Sequence, residues 1–397
     1  MTLRKGDYMN KNTLKEWMLS LQILMACISA TTLVPLLVGF PPSTALFTAG
    51  LGTLLFGFIT KNKIPAFLGS SFAFIAPMSA IVSQYGFEYS CGGFIVVGLI
   101  YMIFAFIVYK VGIEKVNKLL PPHITGAMII TIGLSLVPSA VTNIQTNIIV
   151  ALITLSVSIG ILILAKGFTK QLGILIALVI GYIVSMCLGI VDFTSIAQSE
   201  FIFIPKLVLP KFDINAILII APVAIVTCLE HLGDMITLGS VTNKNYIEEP
   251  GLHRSLLADG LATALGGLFG SVGNTTYGES TSVLALSKQS DPKLTRRAGI
   301  LAIILSLFGY LSGTLQSIPS CVVGAVSLQL YCMIAFIGVK NIKDNKSYES
   351  IRNIIVIAIM LIIGLSGVSV TLGTVTFTGL SLSAIIGIIL NLIINRK

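Results

Sequence analysis

The chain consists of long apolar runs joined by short loops, and this pattern confines it to a membrane. Of its 397 residues, 55% are hydrophobic and only 10% are charged, with a mean hydropathy of +0.97. Soluble domains carry about 25% charged residues. So few charged side chains could not cover the surface of a soluble protein. The sequence therefore predicts an all-α integral membrane protein.

The apolar runs divide into fourteen predicted membrane segments. Their approximate bounds are 17–39, 45–60, 64–82, 92–109, 124–138, 148–165, 171–190, 215–240, 255–270, 275–287, 298–317, 321–339, 353–365 and 377–394. Several are shorter than the ~20 residues with which a plain helix crosses a bilayer. Because interrupted backbone at membrane depth is tolerated only inside a protein or along a cavity, the short segments predict broken elements in the interior.

The basic residues fall in alternate loops between these segments. If the N-terminus is cytoplasmic, the cytoplasmic loops and termini hold 23 of the 25 Lys and Arg residues. The other two, Lys206 and Lys211, fall in the longest external loop. Cytoplasmic loops of membrane proteins are enriched in these residues. The pattern predicts that both termini are cytoplasmic and that the first apolar run is a retained span. It also attributes the net charge of +9 to loops rather than to a nucleic-acid site.

Fourteen segments form two predicted halves of seven, and an odd number per half makes the halves inverted relative to each other. The stretch GLGT (residues 50–53) in the second segment resembles GLAT (260–263) in the ninth, its counterpart. The third and tenth segments also correspond. They contain GSSFAFIAP (69–77) and GNTTYGEST (273–281), in which glycines and the β-branched Thr275 and Thr276 favour extended backbone over helix.

Interrupted segments at matching positions of two halves indicate a substrate site near the membrane midplane. Extended backbone leaves amide groups free, and the N-termini of half-helices add the positive ends of dipoles. Both features can bind a polar ligand.

Three acidic residues in predicted segments strengthen this interpretation. A carboxylate near the middle of a bilayer costs roughly 2.5–3.5 kcal/mol on insertion scales, so Glu230, Asp234 and Glu279 predict a functional polar site. Glu230 and Asp234 are four residues apart and share a helix face. Two carboxylates so close in a medium of low dielectric oppose each other's ionisation, which suits a site that takes up and releases protons.

Other polar residues of the segments have simpler interpretations. Asp259 is interpreted as a solvated residue at the start of a helix. His231 points about 100° away from Glu230 around the helix and is interpreted as structural, like His123 and His253. The six cysteines include no CxxC pair and are interpreted as small buried hydrophobes. The common zinc-peptidase, P-loop and serine-hydrolase motifs are absent, so no enzymatic activity is predicted.

Several stretches, spread over nearly the whole chain, resemble the nucleobase–ascorbate transporter family, and most closely its bacterial uracil permeases. They are SATTLVP (29–35), KIPAFLGSSFAFIAP (63–77), LEHLGD (229–234), EPGLHRSLLADGL (249–261), GNTTYGES (273–280) and GAVSLQLY (324–331). The string NTTYGE is characteristic of the uracil branch, whereas xanthine and urate carriers typically have a QNxG-type signature there. The chain departs from this branch at Asp234, where His is usual, and at Ile23 after Gln22, where His is common.

The resemblance implies two domains and a homodimer. Residues 14–111 and 213–317 would form a core domain from segments one to four and eight to eleven. Residues 112–192 and 318–397 would form a gate domain, through which two copies would pair within the lipid membrane.

The resemblance also implies a nucleobase site between short antiparallel strands of segments three and ten. The residues implied to contact the base are Glu230, Glu279, Phe72, Tyr277, Gly278, Ala30 and Tyr331. The two glutamates would hydrogen-bond the base, backbone amides at Phe72 and Gly278 would contribute, and the aromatic rings would line or close the pocket. Asp234, with Glu230 and Glu279, would couple transport to a proton, and no other cofactor and no metal is expected.

The predicted function is therefore import of uracil with protons, by elevator-like alternating access, across the cell membrane. The alternatives are a xanthine or other purine symporter of the same family, and an anion transporter of related fold. The acidic site argues against an anion. A third alternative is a membrane enzyme with a metal site at Glu230, His231 and Asp234, although adjacent residues rarely converge on one ion.

Overall fold

The fold is known from a computed structural model that describes residues 5–112, 121–372, 375–377 and 379–394. Five of the basic residues assigned to the cytoplasmic side lie outside these ranges, namely Arg4, Lys115, Lys118, Arg396 and Lys397. The described chain is mostly helical, as predicted.

Helices of the first half lie before the long loop that follows residue 187. They are α1 (Lys5–Val38), α2 (Pro42–Ile59), α3 (Ile75–Gln84), α4 (Phe87–Val111), α5 (Pro122–Ser135), α6 (Val137–Ile144), α7 (Ile148–Leu164), α8 (Gly167–Gln171) and α9 (Gly173–Cys187). Those of the second half are α10 (Thr194–Ala197), α11 (Ile214–Thr242), α12 (Leu252–Leu268), α13 (Gly278–Ser287), α14 (Pro292–Ser306), α15 (Gly309–Gln316), α16 (Ser320–Asp344), α17 (Ile351–Leu365) and α18 (Gly379–Ile394).

Six stretches of the described chain are long and apolar enough to cross a membrane. They are Thr13–Val38, Pro42–Ile59, Phe87–Val111, Pro122–Ile144, Ile214–Thr242 and Ser320–Asp344. Further apolar helices have 10–17 residues. The chain is therefore a multi-pass membrane protein, as predicted. The count of fourteen segments, the two inverted halves and the core and gate boundaries stay predictions.

The approximate bounds differ from the helices by several residues at some ends. The fifth predicted segment ends at Pro138, whereas helix resumes at Val137 and continues to Ile144. Pro138 is the second residue of α6, where a missing backbone N–H breaks no helical hydrogen bond.

Two short strands interrupt the apolar helices where the sequence predicts extended backbone. Strand β1 (Leu68–Ser70) pairs antiparallel with β2 (Asn274–Thr276), and Gly69 lies opposite Thr275. Both strands are fully buried. Each is followed by a helix of 10 residues, α3 or α13. This confirms the predicted strands of the third and tenth segments.

A second antiparallel pair, β3 (Val370–Leu372) and β4 (Val375–Phe377), lies between α17 and α18. The sequence pattern does not predict it. Strand β4 contacts α11, the helix that carries Glu230 and Asp234.

Helices α4 and α12 pack closely beside the first strand pair. A Cβ atom added to Gly98 of α4 would stand 2.5 Å from the carbonyl oxygen of Gly260 in α12. Only glycine allows the two backbones to approach this closely, so Gly260 of the GLAT stretch has a packing role.

A strap, residues 194–213, crosses the ends of several helices on the predicted external side. Backbone hydrogen bonds run from Phe203 N to Leu307 O at 2.8 Å, from Val208 N to Leu268 O at 2.8 Å and from Lys211 N to Glu88 O at 3.0 Å. Its first helix, α10, packs on α15. The strap is thus fastened to the ends of α4, α12 and α14, all in the predicted core domain.

Lys63, in the loop that leads into β1, forms an ion pair with Glu249 of the turn Ile247–Gly251. The hydrogen bond from Lys63, and then its charge, lower the pKa of Glu249. A lowered pKa in the folded state stabilises the fold above the ordinary carboxyl pKa, and this contribution is lost as the pH falls through the folded-state value.

We therefore expect Lys63→Ala to lower the melting temperature slightly at pH 7, because the two side chains are 45% and 74% exposed and an exposed pair contributes little. The difference from the parent should shrink as the pH falls below the ordinary carboxyl pKa and through the lowered folded-state pKa of Glu249. Melting curves of both proteins across this pH range measure it, with Lys170→Ala as an exposed-lysine control. A difference that persists unchanged at the acid end would contradict the pairing.

Candidate functional site

The paired strands place two helix starts beside the same short sheet. The pairing extends at both ends, since Tyr277 N donates to Phe67 O and Ser71 N donates to Gly273 O, both at 3.0 Å. The turn before α3 starts at Phe72, and α13 starts at Gly278. The first N–H groups of a helix have no partner within it and carry a partial positive charge, so both starts can bind a polar ligand.

The three predicted acidic residues come together beside these strands. Glu230 and Asp234 lie on α11, and Glu279 lies in the first turn of α13. Glu230 repels both Glu279 and Asp234 electrostatically, which places the three carboxylates in one neighbourhood. The side chain of Glu230 is exposed, and those of Asp234 and Glu279 are half-buried. Acidic groups on interior elements that remain accessible indicate a crevice that a small polar molecule could enter.

Tyr277 lies directly before α13 with a buried ring. Its hydroxyl donates to Ser70 O at 2.7 Å, and the Ser70 hydroxyl donates to Thr31 O on α1 at 2.9 Å. These bonds tie β2 to β1 and β1 to α1. The ring lies near both Glu230 and Glu279, with which its hydroxyl interacts electrostatically.

The half-buried Phe72 packs against both apolar clusters of the buried core, one of which includes Leu33 of α1. Gly278 is exposed, and Asp234 Oδ1 lies 4.0 Å from where its Cβ would stand. Phe72, Gly278 and Tyr277 therefore all adjoin the strand pair, while their contact with a substrate stays a prediction.

The other two predicted site residues are buried on helices. Ala30 is 2% exposed on α1, next to Thr31, which contacts β1. Tyr331 is fully buried on α16, where a Cβ on Gly133 of α5 would stand 2.7 Å from Tyr331 O. The surroundings of Tyr331 thus include the contact between α16 and α5, and its approach to the substrate stays a prediction.

The interpretation of Asp259 as a solvated residue is wrong. Asp259 and His231 are both completely buried, and His231 Nδ1 lies 2.8 Å from Asp259 Oδ2. His231 Nε2 lies 2.8 Å from the Ser255 hydroxyl. Asp259 lies two turns inside α12 rather than at its exposed end, and it faces α11. The structural interpretation of His231 is confirmed, since both ring nitrogens have partners.

Thr276 connects this pair to the acidic residues of the crevice. Its hydroxyl lies 3.1 Å from His231 Nδ1 and donates to Asp234 Oδ2 at 3.1 Å. The sequence indicates Thr276 only as a strand former. One sequence signal could have revealed a polar partner for His231. Two polar residues, Ser255 and Asp259, are four residues apart and therefore share a helix face.

Within the described ranges, no three His, Cys, Asp or Glu side chains are placed to hold a metal ion. The described residues thus give no support to the metal site at Glu230, His231 and Asp234 considered as an alternative. The His231 ring contacts Asp259 and Ser255 of α12, whereas Glu230 and Asp234 remain accessible in the crevice.

The chain matches known proteins over almost its whole length. The model of the permease family matches residues 14–373. The uracil permease of Escherichia coli (strain K12) is 40% identical over 387 residues, covering 94% of this chain and 90% of that protein. The uracil permease of Bacillus caldolyticus is 38% identical over 406 residues, covering 98% of this chain and 94% of that protein.

A solved structure shows the same fold. The transmembrane domain of a cyanobacterium bicarbonate transporter, BicA, superposes with a TM-score of 0.68 at 16% identity, covering 96% of this chain and 97% of that chain. This likeness concerns the fold alone. Permeases are transporters and not enzymes, and the family match with the two relatives spans nearly the entire sequence, so this chain belongs to the permease family of membrane transporters.

Proposed function

We propose that the chain is a uracil importer that couples transport to protons. The observation that carries the proposal is the meeting of Glu230 and Glu279 beside the paired strands and the start of α13. Relatives named uracil permeases, at 36–40% identity over most of the chain, support uracil as the nucleobase.

The chemistry of this site suits uracil. The ring has two N–H donors and two carbonyl acceptors, so it needs both acceptors and donors from the protein. Glu230 and Glu279 supply carboxyl oxygens, and the first amides of α13 supply donors at Gly278. Tyr277 and Phe72 supply aromatic surface for the flat ring.

The transport cycle follows from carboxyl groups that can gain and lose a proton. Glu230, Asp234 and Glu279 repel one another, so the entry of one proton lowers the electrostatic cost of the cluster. In the proposal, proton and uracil enter together from outside the cell membrane. The core domain then moves against the gate domain in an elevator-like step, within a homodimer whose termini are cytoplasmic. The proton is the only coupling ion.

A second candidate substrate is xanthine or another purine, and Asp234 favours it. The resemblance places His at this position in uracil carriers and often Asp in purine carriers. An anion is a poorer candidate despite the fold shared with a bicarbonate transporter, because the crevice is lined by carboxylates that would repel it.

Thermal unfolding of the detergent-purified protein with uracil or xanthine tests the substrate. A ligand that binds only the folded state at a hundred times its dissociation constant stabilises by about 2.7 kcal/mol, so a shift of several degrees is expected with uracil. Measurement over a pH series shows whether binding depends on protonation. If xanthine alone raised the melting temperature, the proposed substrate would be a purine instead of uracil. If neither ligand raised it, both proposed substrates would be wrong, but the assignment to the permease family would stand.

A further inference from the structure

We propose that His231 and Asp259 hold one shared proton behind the acidic crevice, and that the hydroxyl of Thr276 links the position of this proton to the protonation of Asp234. His231 is then a positioning residue for the transport step. The link to transport rests on the proposed function, whereas the shared proton itself does not.

The pair is sealed from solvent, and no described Lys or Arg side chain forms an ion pair with it. Both side chains are completely buried, with 2.8 Å between His231 Nδ1 and Asp259 Oδ2. An unpaired buried charge is strongly destabilising. The titratable groups facing the pair are acidic or neutral, namely Cys228, Glu230 and Asp234 of α11 and Tyr101 of α4. In the described chain, Asp259 forms no ion pair with Lys or Arg, so His231 is its only basic partner.

Counting hydrogens assigns one proton to His231 Nε2. This atom lies 2.8 Å from the Ser255 hydroxyl, and the same hydroxyl donates to the carbonyl oxygen of Leu252 at 3.0 Å. A carbonyl oxygen only accepts, and a serine hydroxyl has a single proton to donate. Ser255 therefore accepts from Nε2–H.

A second proton must lie between Nδ1 and Oδ2, because two lone pairs at 2.8 Å would repel. On Nδ1 it gives an imidazolium and a carboxylate; on Oδ2 it gives a neutral imidazole and a carboxylic acid. The shift breaks an N–H bond, forms an O–H bond and leaves the net charge of the pair at zero. Asp259 Oδ1 is buried without a hydrogen-bond partner, which is less costly for a carboxylic acid than for a carboxylate and keeps the neutral form accessible.

Thr276 couples this shift to the crevice because its hydroxyl also has only one proton. While it donates to an ionised Asp234, it can accept from Nδ1–H. When Asp234 takes up a proton, the new O–H can donate to Thr276, and the threonine proton turns toward Nδ1. Nδ1 must then be a bare acceptor, so its proton has moved to Asp259. Protonation at the crevice and neutralisation of the buried pair thus occur together.

Nitrogen-15 NMR of the full-length protein, labelled at histidine, tests the proposal directly. The chain has only three histidines, and His123→Asn and His253→Asn variants assign their signals. We expect the Nε2 signal of His231 to show a bonded hydrogen throughout the range from pH 5 to 8. We expect the Nδ1 signal to change with pH in the parent and to lose this change in Thr276→Val and in Asp234→Ala.

Thr154→Val is the matched control, since Thr154 is also fully buried but donates only to the backbone of its own helix, α7. It should leave the pH response of His231 intact. A His231 Nε2 signal without a bonded hydrogen in the parent would overturn the shared-proton assignment, even if no variant folds. A pH response of Nδ1 that persists in both Thr276→Val and Asp234→Ala would overturn the link through Thr276. Neither readout requires uracil, so failure of the proposed substrate would be seen separately in the thermal unfolding experiment.

Discussion

Replacing Glu230 or Glu279 by glutamine is expected to reduce uracil uptake by about 10- to 100-fold in protein that remains folded. Glutamine keeps the shape of the side chain but exchanges one acceptor oxygen for an amide donor, which would face an N–H group of the ring. A hydrogen bond to a charged group contributes roughly 1.5–3 kcal/mol, which corresponds to this change in affinity.

The folded state should tolerate either change well. Glu230 repels Glu279, so neutralising one of them removes repulsion rather than a stabilising pair. Uptake of labelled uracil by cells, with thermal unfolding of the purified variants, separates the two effects. Glu249→Gln makes the same chemical change on an exposed loop and should leave uptake near the parent level. Normal uptake by folded Glu230→Gln and Glu279→Gln proteins would remove the two glutamates from the site.

Gly69→Ala should both destabilise the protein and abolish most uptake. A Cβ at this position would stand 2.5 Å from Tyr277 Cζ and 2.6 Å from Thr31 Oγ1. Such overpacking costs about 1–3 kcal/mol. The Tyr277 ring would have to move, which would break its hydrogen bond to Ser70 O and disturb the start of α13 next to Glu279.

Gly160→Ala provides the matched control, because Gly160 lies inside α7, four residues before its last residue, and a Cβ there would meet nothing within 4 Å. Removing a glycine from a helix interior stabilises by roughly 0.5–1 kcal/mol, so this variant should unfold no earlier than the parent. The two variants are compared by melting temperature and by uptake per folded molecule. Parent-like stability and uptake in Gly69→Ala would show that the packing of Tyr277 on β1 does not shape the site.

Local sequence could predict the parts of the fold that depend on local physics. Glycines beside Thr275 and Thr276 indicate extended backbone, and β2 forms there. The cost of a carboxylate in a bilayer identifies Glu230 and Glu279, and the structure brings them together.

The parts of the fold and site that depend on long-range packing could not be predicted from local sequence. Asp259 and His231 are 28 residues apart, and their contact exists only because α12 packs beside α11. Local sequence, which places Asp259 near a basic loop, therefore suggests a solvated residue at this position. The position of Tyr331 depends likewise on how α16 packs against α5, which no local pattern encodes.

Two short connections join the predicted core and gate domains on the predicted external side: residues 188–193, which precede the strap, and residues 317–319, between α15 and α16. Helix α9 ends at Cys187 in the predicted gate domain, and α10 is already packed against α15 of the predicted core domain. Only residues 188–193 connect them, with Gly189 in a left-handed conformation. Six residues span at most roughly 20 Å when fully extended. In the proposed elevator-like step, the displacement of one domain past the other must fit within the reach of both connections, so residues 317–319, the shorter of the two, would limit it more than residues 188–193 do.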